Sequence, residues 1–357
     1  MALAQEILLD GDPYLNFINS LKSDSTKEGY RNALLRFMQY FHIKDTDTLS
    51  QLPPKDIESY LKNYIQFLKE EKRSTQSMNM ILSSVNHFCV MNDIVINYKK
   101  ICKFKSPTKK HNFDRAYTHQ DISKLLQICP LRLKVAVLVY SSTGIRKNAL
   151  VTLQLRHLKK IEKDNLYKFT IYEGEKEQYY TFCTPETANL IDEYLDYRGR
   201  CGEKLTDDSY LIREEFDIND LEQIKKRSRR ISSNTIGNSL LVYLLKTGLR
   251  DLNRQSQFTR KPIPLLHGFR KFFTTQLVNS NLNPEIREML LGHKIGLASC
   301  YYRPSEEEML NEYMKAIKNL TINEENRLKM KIEKLEVERS QFETLASKIE
   351  AIEKKIK

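Results

Sequence analysis

Through the second half of the chain, arginine, lysine, histidine and tyrosine follow one another in an order suited to attack on a phosphodiester. Arg146 comes just after Thr143-Gly144 in "SSTGIRKNALVTL", and Lys176 sits in "EGEKEQ". His267 and Arg270 are three apart in "LLHGFRKFF", so a helix would project both from one face. His293 is the next-to-last residue of "NPEIREMLLGHK", and Tyr302 follows nine residues later, beside Tyr301. In phosphoryl transfer, charge gathers on the phosphoryl oxygens, and planar guanidinium forks match that charge better than any other side chain. Two arginines can clamp those oxygens as a metal would. No carboxylate cluster suited to Mg²⁺ accompanies these residues, so the set reads as metal-free and without a cofactor. A tyrosine hydroxyl titrates near pH ~10 and needs a proton acceptor or an electropositive setting to attack at neutral pH. His267 and His293 can serve as base and hydrogen-bond partners. The leaving 5′ oxygen needs a proton, which a lysine on a hairpin turn can carry into the minor groove. Each residue alone has an ordinary explanation; the weight lies in the order and spacing of the set.

The flanking sequence says how these residues are carried. "NPEIREMLLGHK" reads as a short helix with Asn283 as cap, Pro284 in its first turn and Gly292 as terminator. "NLYKFTIYEGEKEQYYTFCTP" alternates Phe169, Ile171, Tyr179 and Thr181 about Gly174, which predicts a β-hairpin with Lys176 in its turn. Tyr313 falls on the helix after Pro304-Ser305 and reads as a packing residue. Upstream, "STKEGYRNALLRFMQYF", "LPPKDIESYLKNYIQFLKEE" and "STQSMNMILSSVNHFCVMN" carry apolar residues at helical spacing, with Ser25 and Glu28 resembling a capping box. The fold class is therefore mainly α with a small β-hairpin or sheet. We divide it into a helical N-terminal domain (1–98), a basic linker (99–117), a mixed α/β domain (118–320) and a C-terminal heptad-like helix (321–357). That tail repeats apolar residues at Leu328, Ile332, Leu335, Phe342, Leu345, Ile349, Ile352 and Ile356, a narrow stripe that needs a partner.

Lys and Arg total 58 against 46 Asp and Glu, a net charge of +12, which suits a polyanionic partner. The excess is concentrated in Lys99, Lys100, Lys103, Lys105, Lys109 and Lys110 of the linker, and in "KKRSRR", which supplies Lys225, Lys226, Arg227, Arg229 and Arg230. These two stretches are candidate DNA-backbone contacts. The six cysteines form no C-x-x-C pair, so reduced thiols in a cytoplasm are expected, with no zinc site and no disulfide framework. The apolar runs are too short to span a bilayer, and the N-terminus has no secretory pattern.

With Arg146 in "TGIR", Lys176 in the hairpin, "HGFR", "LLGH" and a tyrosine nine residues beyond it, the chain from about residue 12 to 315 resembles the tyrosine recombinases, the phage-integrase and Xer-like family. Its ending is similar to integrases of archaeal mobile elements. The resemblance implies a helical core-binding domain and a catalytic domain that close around duplex DNA. It also implies a 3′-phosphotyrosyl intermediate, strand exchange through a Holliday junction in a synaptic homo-tetramer, and no need for ATP. On this reading the catalytic residues are Arg146, Lys176, His267, Arg270, His293 and Tyr302, with Tyr301 the rival nucleophile. The expected activity is site-specific integration or excision of a mobile element at double-stranded attachment sites, in the host cytoplasm. One position departs from the pattern: the acidic residue usual three places after the first arginine is Ala149 here. The alternatives are a type IB topoisomerase-like enzyme, which would not need the tail as a subunit contact, and a non-catalytic DNA-binding protein on the same fold.

Overall fold

A computed structural model describes residues 7–105, 114–225, 229–251, 262–296 and 301–333, together with 335, 336, 339, 340, 342 and 343. The chain divides into two compact units, one holding the described residues up to 105 and the other those from 114 onward. The first unit is helical: α1 (Gly11–Asn19), α2 (Asp24–Tyr40), α3 (Thr46–Gln51), α4 (Pro54–Glu70), α5 (Thr75–Met91) and α6 (Tyr98–Cys102). Apolar stripes at helical spacing put Phe17, Leu34, Phe37, Leu61, Ile65, Leu82 and Phe88 into one buried core. Two local expectations are corrected. The side chain that caps α2 is Ser23, which accepts from the Thr26 amide, one turn-start earlier than the Ser25/Glu28 pattern implied. Within the stretch read as a linker, α6 is helical because Ile101 has a core to enter and Asn97 caps the turn through the Lys100 amide.

The second unit contains α7 (His119–Ile128), α8 (Leu131–Thr143), α9 (Lys147–Thr152), β1 (Leu158–Ile161), β2 (Leu166–Ile171), β3 (Tyr179–Phe182), α10 (Pro185–Arg200), α11 (Leu221–Lys225), α12 (Ser233–Lys246), α13 (His267–Asn279), α14 (Pro284–Leu290) and α15 (Glu306–Leu320). The architecture is mainly helical with one small antiparallel sheet in the order β1-β2-β3. The expected hairpin is present, pairing Phe169 with Thr181 and Ile171 with Tyr179. β1, an edge strand reading Leu-Lys-Lys-Ile, adds a third strand that the sequence did not disclose.

At the centre lies α8, buried on all sides from Val135 to Thr143, and α10 and α13 pack across it. α15 packs against α13 and α14. Tyr313 is fully buried there and donates its hydroxyl to the Ser142 carbonyl at 2.8 Å, which makes it the packing residue expected. Just after α15, the amides of Ile322 and Asn323 donate to the two carboxylate oxygens of Glu186 on α10, at 2.7 and 3.0 Å. Asn323 in turn caps the helix that begins at residue 324, accepting from the Asn326 amide. Leu328, Ile332, Leu335 and Phe342 on that tail are each more than half exposed. Leu345, Ile349, Ile352 and Ile356 lie outside the described residues. Among the described residues no helix is long and apolar enough to cross a membrane.

Candidate active site

The site is built on two glycine-terminated turns. α8 ends at Gly144, whose φ of +62° is left-handed. A Cβ there would also stand 2.2 Å from the Phe273 ring, so close packing and backbone geometry both call for glycine. The chain leaves that turn through Ile145 into Arg146, the residue preceding α9. α14 starts as expected, with the Asn283 side chain accepting from the amides of Glu285 and Ile286 and Pro284 in the first turn. It is followed by Gly292, with a φ of +65°, where a Cβ would meet the Tyr179 ring at 2.5 Å. The reversal at Gly292 throws His293 back toward α13.

α13 supplies Arg270 from its buried face, between Phe269 and Phe272/Phe273. Arg270 donates to the Gly144 carbonyl at 2.7 Å and to the Leu291 carbonyl at 2.6 Å, and one of its NH2 nitrogens lies 2.8 Å from His293 Nε2. Arg146 donates to the Gly292 carbonyl at 2.7 Å. The structure thus brings Arg146, Arg270 and His293 to a single turn. Burial pulls Arg270 below its ordinary value; the nearby Tyr179 opposes this and the Arg146 charge adds to it. A guanidinium stays cationic even so. Two side-by-side cations held by backbone carbonyls form an anion-binding surface.

Two residues of this cluster escaped the sequence reading. Glu288 accepts from His293 Nδ1 at 2.6 Å, and its other carboxylate oxygen lies 3.1 Å from Arg287 Nε. Tyr179, the first residue of β3, carries the Arg146 guanidinium 5.9 Å over its ring, and its hydroxyl is buried without a hydrogen bond of normal geometry. Burial raises the Tyr179 hydroxyl, and Arg270 and Arg146 oppose that rise. Neither carried a local signal, since one acts across a helix end and the other across the sheet.

The remaining candidates occupy the hairpin turn, the start of α13 and the segment before α15. Lys176 is exposed in the hairpin turn among Glu173, Glu175 and Glu177. His267 opens α13 one turn before Arg270 and is exposed. Tyr301 is 90% exposed. Tyr302 is half-buried and packs on the core, and its hydroxyl is raised by burial and by the carboxylates of Glu308, Glu285 and Glu312. Ala149 is fully buried on α9.

Of the basic candidates, Lys99, Lys100 and Lys103 line one depression of the first unit with Asn97 and Phe104. Lys105 bonds to Asn79, and Lys62 lies over the Phe104 ring. In the second unit Lys225 ends α11, and Arg229 and Arg230 are exposed. Lys109, Lys110, Lys226 and Arg227 lie outside the described residues.

Residues 115–308, more than half of the chain, match the phage integrase family. The chain belongs to that family, the tyrosine site-specific recombinases. Its fold is similar to that of the recombinase XerH, solved bound to a palindromic difH substrate in a post-cleavage complex: 16% identity over 84% of this chain and 86% of that one, TM-score 0.54. A Tn1549 transposon integrase fragment, solved with circular intermediate DNA, shares 16% identity over 84% of this chain and 96% of its own, TM-score 0.54. A lambda integrase fragment, a dimer on a COC′ core site, shares 14% identity over 80% and 90%, TM-score 0.53. Among curated proteins no match of significance was found.

Proposed function

We propose that this recombinase cuts and rejoins double-stranded attachment sites through a 3′-phosphotyrosyl intermediate formed by Tyr302, serving integration or excision of a mobile element. The observation that carries this reading is the joint anchoring of Arg146 and Arg270 on the turn that also presents His293. In the reaction the scissile phosphate lies against the two guanidiniums, whose donors take the developing charge on its non-bridging oxygens. The Tyr302 oxygen bonds to phosphorus as its proton passes to an imidazole, and the bond to the 5′ oxygen breaks as Lys176 supplies a proton. The phosphotyrosyl bond conserves the phosphodiester energy, so rejoining needs no nucleotide. His267, one turn from Arg270, adds a second hydrogen-bond donor at the phosphate.

Burial and the carboxylates of Glu308, Glu285 and Glu312 act on the Tyr302 hydroxyl in the protein alone, whereas in the reaction it works beside the two guanidiniums. The basic residues of the first unit and of the 225–230 run hold the duplex backbone, and four copies assemble for strand exchange in the host cytoplasm. The exposed apolar residues of the tail favour contact between copies over the topoisomerase alternative. A nicked attachment-site duplex that loses a short fragment on cleavage traps the intermediate. Wild type should give a denaturant-resistant protein–DNA band, Tyr302→Phe should abolish it with binding intact, and Tyr301→Phe should keep it. A band lost only in Tyr301→Phe moves the nucleophile by one residue; no band from wild type overturns the reading.

A further inference from the structure

A hydrogen-bonded chain runs from Glu288 through His293 to Arg270, and its chemistry fixes the position of one proton. His293 Nε2 lies 2.8 Å from an Arg270 NH2 nitrogen. A guanidinium donates and never accepts, so Nε2 must be the acceptor and carries no proton. The ring proton is therefore on Nδ1, which lies 2.6 Å from Glu288 Oε2. The opposite tautomer would set N–H against N–H at one end of the ring and a lone pair against a carboxylate at the other.

Glu288 is itself held in place. It sits on the last turn of α14, its other oxygen lies 3.1 Å from Arg287 Nε, and its side chain is about one-third exposed. Burial would raise its carboxyl, but hydrogen bonds from His293 and Arg287 outweigh that and keep it below the usual range, ionised at neutral pH.

We propose that Glu288 is a positioning residue for strand cleavage, holding His293 as the Nδ1–H tautomer so that the Nε2 lone pair faces the arginine pair. Resting on the cleavage reading above, this lets Nε2 accept from Arg270, so that His293 fixes the guanidinium that faces the scissile phosphate.

Two readouts test this. The first needs no DNA: nitrogen-15 spectra of histidine-labelled protein, with His293→Gln identifying the resonance, report which ring nitrogen bears the proton. Wild type should show Nδ1–H. Glu288→Gln, whose neutral amide holds the Nδ1 proton less firmly than a carboxylate, should lower the share of the Nδ1–H form. The second is single-turnover cleavage of the nicked duplex. Glu288→Gln should lose about 10- to 100-fold in rate with duplex affinity within about twofold of wild type, on the scale of other residues that orient an imidazole. Glu288→Asp, which keeps the carboxylate, should recover part of the rate. An Nε2–H ring in wild type, an unchanged ring in Glu288→Gln, or Glu288→Gln cleaving at the wild-type rate overturns the proposal. If wild type makes no covalent complex, the cleavage reading falls, while the tautomer measurement still decides whether Glu288 sets the ring.

Discussion

Arg146, just before α9, and Arg270, on α13, reach to neighbouring carbonyls, those of Gly292 and Leu291, at 2.7 and 2.6 Å. Those carbonyls lie at the C-terminal end of α14, where the helix dipole is negative and the last carbonyls lack partners within the helix. The helix end thus offsets the repulsion between two cations and sets their spacing before any phosphate arrives. His293 takes its direction from the same turn, so its geometry couples three side chains.

Gly292→Ala should break that coupling. The residue sits at a φ of +65°, and a Cβ would stand 2.5 Å from the Tyr179 ring. The backbone strain alone costs about 1–2 kcal/mol, and the ring contact adds to it. The expected outcome is a modestly lowered melting temperature with a far larger loss of single-turnover cleavage. Tyr179→Ala in the same chain removes the ring but leaves φ unchanged, so it should restore stability only in part. Cleavage at the wild-type rate in Gly292→Ala would show that the turn does not set the site.

Arg270→Lys should be far from conservative. Arg270 spans the Gly144 carbonyl on one side and the Leu291 carbonyl on the other, with His293 beside it, and a lysine has one nitrogen on a flexible stem. Covalent complex formation should fall by about 10²- to 10³-fold, as for loss of a preorganised donor. Duplex affinity, which depends on many basic residues, should change little; an equal loss in binding and cleavage would place Arg270 in binding alone.

Much of this site could be read from local patterns, because its parts are local. Asn283, Pro284 and Gly292 are helix-end signals set by backbone geometry, and the Phe169/Thr181 and Ile171/Tyr179 pairs follow from strand alternation. Glu288 and Tyr179 were not legible, since their partners are reached through a chain reversal and across the sheet. β1 was hidden because its two lysines give an edge strand no apolar alternation. The Ser25/Glu28 pattern misled because Ser23, two residues earlier, met the first free amide as the chain entered α2.

Acid should loosen the second unit through Glu203. Its carboxylate bonds to Arg198 Nε and NH2 at 2.9 and 2.6 Å and to Arg213 NH1 at 2.8 Å, all three residues being buried. Burial alone would raise the carboxyl, yet the two guanidiniums hold it below the ordinary value. A folded value below the unfolded one contributes stability that is fully present above the unfolded pKa of about 4.3 and lost as pH falls through the folded one. The melting temperature should therefore hold from neutral pH to about 5 and fall below about 4. Glu203→Gln leaves two buried guanidiniums without their counter-charge, costing about 3–5 kcal/mol at neutral pH and flattening the acid limb. An acid limb as steep in Glu203→Gln as in wild type would assign it to other carboxylates.

Tyr302 is held in a setting that opposes its proposed chemistry. A nucleophilic phenol gains from nearby cations, but burial and the carboxylates of Glu308, Glu285 and Glu312 raise its hydroxyl above the ordinary tyrosine value. Two of those carboxylates also have structural duties: Glu308 closes the capping box of α15 with Ser305, and Glu312 accepts from the Asn283 amide at the start of α14. Glu285→Gln is thus the cleaner probe. In the protein without DNA, the ultraviolet difference titration of wild type against Tyr302→Phe should show this phenolate forming above pH ~10, and Glu285→Gln should bring it back toward that value. Exchanging those three carboxylates for two guanidiniums, as the proposed reaction does, would then favour ionisation. A Tyr302 that ionises below the ordinary tyrosine range in the protein without DNA would mean that these carboxylates do not oppose it.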